Sequence, residues 1–172
     1  CGFFSVTGLE LVPRWLTALA AEMSACRNLF AAFDTLYLGG GTPSLLAPED
    51  LGVLSRALRA HFRFAPGCEI TLEANPGDVT RERIAAWREL GVNRVSLGVQ
   101  SLDDRVLAWL GRRHDRAAAL AAYHALRGAG FANIGIDLIY GVPGQTLKAW
   151  VDTLRAAAAL APEHLSCYQL TL

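Results

Sequence analysis

Five segments of this 172-residue chain carry groups able to hold a small polar ligand. The first is Tyr37-Leu38-Gly39-Gly40-Gly41-Thr42-Pro43-Ser44, where a β-forming run stops in three consecutive glycines. Such glycines tolerate positive φ and bring bare backbone N–H groups up to a ligand. A plain tight turn is the other reading, but the pattern recurs. A second run ends in Glu73, with Asn75 behind it, and a third ends near Gln100, with Ser101 behind it. A fourth carries Asp137 and then Tyr140, and a fifth carries Tyr168, Gln169 and Thr171. Glu73 and Asp137 sit in or beside apolar runs, where an unpaired carboxylate costs on the order of several kcal/mol. Arg112 and Arg113 are candidate partners for them, while Asn75 and Ser101 read equally well as capping or loop residues. The set suits a small zwitterionic or sugar-bearing ligand. Backbone N–H groups and an arginine bind a carboxylate, and a carboxylate binds an amine or ribose hydroxyls. The glycine loop lacks the Gly-Lys-Ser/Thr end of a P-loop, and Gly-x-Gly-x-x-Gly does not occur. A nucleoside triphosphatase and a nicotinamide enzyme are therefore disfavoured.

These groups need a scaffold that gathers them at one edge. Val12 to Phe33 has helical periodicity, with Trp15, Leu16, Leu19, Ala20, Met23, Cys26, Leu29 and Phe30 on one stripe and Pro13 in the first turn. Strands are expected at 34–38, 69–73, 93–98, 132–139 and 165–170. Helices are expected at 48–62, from Asp78 or Thr80 to Leu90, and at 103–110, 115–128 and 146–160, with Gly91 closing the second. Strand and helix alternate with short links and mostly apolar strands, which is the signature of parallel βα units. The sheet is either an open doubly wound one or all or part of a β/α barrel. In both, ligands bind at the C-terminal ends of the strands.

Apolar residues make up 52% and charged residues 19%, as in a globular domain of one core. Lys+Arg and Asp+Glu are both 16, so net charge gives no reason to expect nucleic acid or an anionic membrane as partner. No apolar run approaches the roughly 20 residues of a membrane span. The four cysteines, Cys1, Cys26, Cys68 and Cys167, form no close pair, and a reducing cytoplasm is expected. The last three read as small buried hydrophobes. Cys1 stands at the very start, and the chain stops inside the apolar run Tyr168 to Leu172, so it reads as a piece of a longer protein.

Several motifs resemble one family. They are Gly39-Gly40-Gly41-Thr42-Pro43-Ser44, Glu73-Ala74-Asn75-Pro76-Gly77, Ser96-Leu97-Gly98-Val99-Gln100-Ser101, Leu110-Gly111-Arg112-Arg113-His114 and the run from Ile136 to Thr146. In this order they are similar to the radical S-adenosylmethionine (SAM) proteins of the oxygen-independent coproporphyrinogen III oxidase type, with Glu73–Gly77 and Tyr168–Leu172 favouring the HemW, or heme chaperone, branch. The resemblance covers the whole chain. It implies an α/β partial barrel of six parallel strands, five of them present here, truncated at both ends. It also implies a [4Fe–4S] cluster on a Cys-x-x-x-Cys-x-x-Cys loop, with Cys1 as the third ligand, and SAM on the fourth iron. By the same likeness Gly40, Gly41 and Thr42 contact the methionine part of SAM. Glu73, Gln100, Arg112 and Asp137 match further SAM positions, and Thr171 falls at one where residue identity varies. The implied partners are heme or a porphyrinogen, and an electron donor such as flavodoxin or ferredoxin. In the oxidase the SAM-derived radical starts propionate decarboxylation, whereas the HemW branch carries heme. This stretch alone, with one cluster thiolate, is not expected to cleave SAM. The alternatives are a true coproporphyrinogen oxidase or other radical SAM enzyme, and a SAM- or nucleotide-binding domain without a cluster.

Overall fold

The computed structural model describes residues 8–171, so Cys1 lies outside the described residues. After a short 3-10 turn at Leu9–Leu11, helix α1 runs Val12–Cys26 with Pro13 in its first turn. It stops well short of Phe33. Arg27 Nη1 donates to the Ser24 carbonyl at 2.6 Å, satisfying one of the carbonyls a helix end leaves unpaired. The Leu29 N–H turns back to the Cys26 carbonyl, and Leu29 and Phe30 leave the stripe for solvent. Trp15 is also exposed, which leaves Leu16 and Met23 as the buried residues of this helix.

The remaining elements are β1 Phe33–Leu38, α2 Pro48–His61, β2 Phe64–Ala74, α3 Arg81–Leu90, β3 Arg94–Gln100, α4 Asp104–Trp109, α5 Arg116–Gly128, β4 Asn133–Tyr140, α6 Leu147–Ala159 and β5 His164–Gln169. Thr80, not Asp78, caps α3, its hydroxyl accepting from the Arg83 N–H. Strand β2 begins five residues earlier than the 69–73 expectation. Pro66-Gly67 looks like a turn in sequence, but Gly67 at φ 77° sits in a bulge, and pairing with β1 continues on both sides of it (Phe33 with Phe64, Thr35 with Glu69).

All neighbouring strands are parallel, in the order β1-β2-β3-β4-β5. A doubly wound sheet reverses its order part-way; this one advances in one direction, so every right-handed crossover returns on the same face. The result is a half-barrel with its helices on the convex side. Leu72, Val95, Leu97, Ile134, Ile136 and Leu138 point to that side and are fully buried, together with Trp87 of α3 and Leu126 of α5. Alternate residues point the other way and are polar: Tyr37, Thr71, Glu73, Arg94, Ser96, Asp137, Ser166 and Tyr168. Cys68 is buried as expected and Cys26 half-buried, but Cys167 is exposed, because β5 is the last strand and little among the described residues covers it.

Gly91 ends α3 at φ 103°, its N–H bonding to the carbonyls of Trp87 and Arg88. A Cβ there would stand 3.2 Å from Ile70 Cδ1. Gly91→Ala is expected to lower stability by about 1–2 kcal/mol, read as a lower urea midpoint at unchanged m-value.

Candidate functional site

Strand β1 delivers the glycine loop to the C-terminal rim, and β2 delivers Glu73 beside it. The Glu73 carboxylate is held at both oxygens: the Tyr37 hydroxyl donates to Oε1 at 2.9 Å and the Gly40 N–H donates to Oε2 at 3.2 Å. Gly39 makes this possible. A Cβ at that position would meet the Tyr37 ring at 2.5 Å and the Glu73 carboxyl carbon at 2.8 Å, so only glycine leaves room. Gly40 stands at φ 85°, and a Cβ on Gly40 or Gly41 would meet no atom of the described residues within 4 Å. Among the described residues, the loop surface at Gly40 and Gly41 is therefore uncovered. Partial burial of the phenol beside Glu73, with that carboxylate's hydrogen bond and charge, pushes Tyr37 up to about 12 although the residue as a whole is 55% exposed, which keeps it a hydrogen-bond donor.

Strand β3 ends in a distortion. Its register against β4 shifts between Leu97 and Gln100, and Gln100 adopts φ 66°. A left-handed backbone at a non-glycine residue costs about 1–3 kcal/mol and tends to occur at functional sites. Here it folds the Gln100 amide back over Gly98, where a Cβ would lie 2.8 Å from Nε2. On β4, Asp137 lies on the concave wall and both its oxygens accept from the Ser96 hydroxyl, at 3.1 and 2.9 Å. Burial raises its pKa and nearby Glu73 adds to this; the Ser166 and Ser96 hydroxyls act in the opposite direction. Two acids thus share one concave wall.

A buried polar cluster ties the loops of this rim together. Ser44 is fully buried and Asp78 nearly so. The Ser44 hydroxyl donates to Asp78 Oδ2 at 2.7 Å and accepts from the Asn75 N–H at 3.2 Å. Asp78 Oδ1 also faces Arg83 at 3.5 Å and Arg113 at 3.9 Å. The glycine loop, the loop after β2 and the loop after α4 are joined through one carboxylate. His114 adds a second tie, with Nε2 3.0 Å from the Val99 carbonyl oxygen at the end of β3.

The structure brings Gly40, Gly41, Thr42, Glu73, Gln100 and Asp137 to the same end of the sheet. It does not pair the arginines as expected. Glu73 is satisfied by Tyr37 and Gly40, and Asp137 by serines, while Arg113 turns to Asp78. Arg112 makes no ion pair with any described residue, and it lines a cavity of about 290 Å³ with Asn75, Gly77, Asp78, Gly111, Arg113 and His114. Ser101 is a buried turn residue whose hydroxyl accepts from the Asp103 N–H, as its loop reading predicts. Thr171 follows β5 and is exposed. Sequence reasoning missed the roles of Tyr37, Ser44 and Asp78. Tyr37 was within reach, because it lies two residues before Gly39 on a strand and so shares its face.

A profile of the radical SAM superfamily matches residues 12–157. This chain belongs to that superfamily. Two curated relatives named heme chaperone HemW are similar to it. The one from Mycobacterium tuberculosis is 42% identical over 178 residues, covering 100% of this chain and 46% of its own length. The one from Haemophilus influenzae is 41% identical over 138 residues, covering 80% of this chain and 36% of its own length. Among solved structures, coproporphyrinogen III oxidase (HemN) from Escherichia coli, described as a radical SAM enzyme, superposes with a TM-score of 0.90 at 32% identity, covering 99% of this chain and 40% of that one. The chain therefore spans less than half the length of these relatives. Radical SAM proteins as a superfamily use SAM and a [4Fe–4S] cluster. The glycine loop and the Glu73 carboxylate offer N–H donors and an acceptor, the chemistry that the carboxylate and ammonium of an amino acid take. Cluster ligands are a different matter: no three His, Cys, Asp or Glu converge among the described residues.

Two consequences follow from the site's electrostatics. Ser44→Ala removes the only hydrogen-bond donor that Asp78 Oδ2 has among the described residues and orphans the Asn75 N–H, so a stability loss of about 1–3 kcal/mol is expected in thermal or urea unfolding. Phenolate formation at Tyr37, isolated as the difference between wild type and Tyr37→Phe in a near-ultraviolet titration, should centre near 12. Glu73→Gln removes the adjacent negative charge and the carboxylate acceptor, and should move that midpoint down toward 10.0, the ordinary value.

Proposed function

We propose that this chain is the SAM-binding core of a heme chaperone of the HemW type. The observation that carries the reading is the clasp at Glu73, held from below by Tyr37 and from the side by Gly40, with open glycine backbone above it. Sequence identity of 42% to a HemW protein across the whole chain supports the branch.

In this reading Glu73 faces the ammonium of the SAM methionine. Gly40 is already donating to Glu73, so the N–H groups of Gly41 and Thr42 and the guanidinium of Arg112 serve the methionine carboxylate. Gln100 and Asp137 serve the nucleoside half, where Asp137 accepts from ribose hydroxyls and the hydroxyls of Ser96 and Ser166 help keep it ionised. Thr171 forms the outermost contact. Bound SAM and a [4Fe–4S] cluster, with Cys1 as one thiolate, would supply one-electron cleavage at the sulfonium. The residues described here contribute orientation and charge: they fix the sulfonium's position and exclude water from one side of it. Heme is the cargo, a flavodoxin or ferredoxin is the reductant, and the cytoplasm is the compartment. No helix of the described residues is long and apolar enough to cross a membrane.

The test uses the whole protein that carries this chain, prepared without oxygen. Iron and sulfide content, the visible spectrum, and 5′-deoxyadenosine release from SAM under reduction are measured with and without heme. Cluster assembly with SAM cleavage and stoichiometric heme uptake is the expected result. Glu73→Gln and Arg112→Ala should each weaken SAM binding by about tenfold. Cleavage accompanied by decarboxylation of coproporphyrinogen, without heme uptake, would assign the chain to the oxidase instead. Absence of SAM binding would overturn the reading.

A further inference from the structure

Tyr37 touches the site from the end of β1, just ahead of the glycines. Its hydroxyl lies 2.9 Å from Glu73 Oε1, while the other carboxylate oxygen takes the Gly40 N–H at 3.2 Å. Each oxygen is therefore tethered once and keeps lone-pair capacity for a further donor. We propose that Tyr37 is a positioning residue for ligand recognition: it locks Glu73 into the one orientation in which the carboxylate presents its free lone pairs to a ligand ammonium above the glycine loop. This rests on the reading that the rim takes the methionine end of SAM.

Three observations support it. The space beside Gly39 is filled by the Tyr37 ring and the Glu73 carboxyl together, so the two side chains occupy one fitted position against the strand. Tyr37 as a residue is more than half exposed, so its hydroxyl is not placed there by core packing. The phenol also stays protonated throughout the neutral range and always donates. A glutamate free to rotate would have to lose rotamer freedom when the ligand arrives. Here the loss is met during folding, which is how preorganisation raises affinity.

The experiment compares two ligands on the whole, cluster-reconstituted protein by anaerobic calorimetry. S-adenosylhomocysteine carries the amino-acid end; 5′-methylthioadenosine lacks it. Tyr37→Phe deletes one oxygen and is expected to weaken S-adenosylhomocysteine by about five- to tenfold, the effect of one charge-assisted hydrogen bond. Binding of 5′-methylthioadenosine should stay within about twofold, and the melting temperature should hold. In a Glu73→Gln background, Tyr37→Phe should cause little further loss, because Tyr37 acts through that carboxylate. Equal weakening of both ligands would show a general packing role and overturn the proposal. So would unchanged S-adenosylhomocysteine affinity, or a full additive loss in the Glu73→Gln background. If wild-type protein binds neither ligand, the SAM reading itself fails, an outcome distinct from a wild type that binds both and a variant that matches it.

Discussion

A carboxylate removed from water must find donors, and at Asp78 that demand decides where the site's loops sit. Only 4% of Asp78 is exposed. Its oxygens are met by a serine from the glycine loop and by arginines from α3 and from the loop after α4. Leaving such a group unpaired would cost several kcal/mol, about the scale of a domain's whole stability margin. The glycine loop and the loop after β2 are therefore held to one another. The firm tie is between the glycine loop and the loop after β2, through Ser44, Asp78 and Asn75, while the largely exposed Arg113 at 3.9 Å adds little. Arg113 reaches toward Asp78, while its neighbour Arg112 makes no ion pair among the described residues and lines the adjoining cavity.

The second organising feature is the division of the sheet into two faces. The convex face is a continuous apolar surface under five of the helices, with Trp87, Leu97, Leu126 and Ile136 fully buried. The concave face carries acids, serines, Arg94 and tyrosines. A closed and filled barrel would place branched aliphatic residues there. A polar inner wall instead suits a hydrated or ligand-bearing cavity. Within that wall Glu73 and Asp137 raise the local negative potential on the side where a sulfonium-bearing ligand would lie, and Ser96 and Ser166 make the second acid tolerable.

Much of the scaffold was legible in the chain. Five strands and the helices between them follow from short apolar runs, turn glycines and caps, and their ends fall within a few residues of expectation, except where local chemistry intervened. At α1 the apolar stripe continued through Leu29 and Phe30, yet Arg27 capped the helix early and those two side chains went to solvent. At β2 a Pro-Gly pair that reads as a turn became a bulge, because the strand could resume its pairing beyond it. The motif residues of the rim were legible as types and as positions at strand ends. Their partners were not. Arg112 and Arg113 looked like the natural counter-ions of Glu73 and Asp137, but the nearest donors in space were a phenol, a backbone N–H and serines.

By itself the sequence determined a parallel βα architecture, the set of polar groups at the strand ends and the resemblance that names the superfamily. Those are local properties: periodicity, turn chemistry and motif order are written within a few residues of one another. Only the tertiary structure decided that the sheet advances in one direction into a half-barrel and that Ser44 and Asp78 bury a common contact. It also decided that Tyr37 serves Glu73 across 36 residues of chain. Such pairings depend on strand register and on which donor first comes within hydrogen-bond reach, and neither distance is encoded by sequence separation.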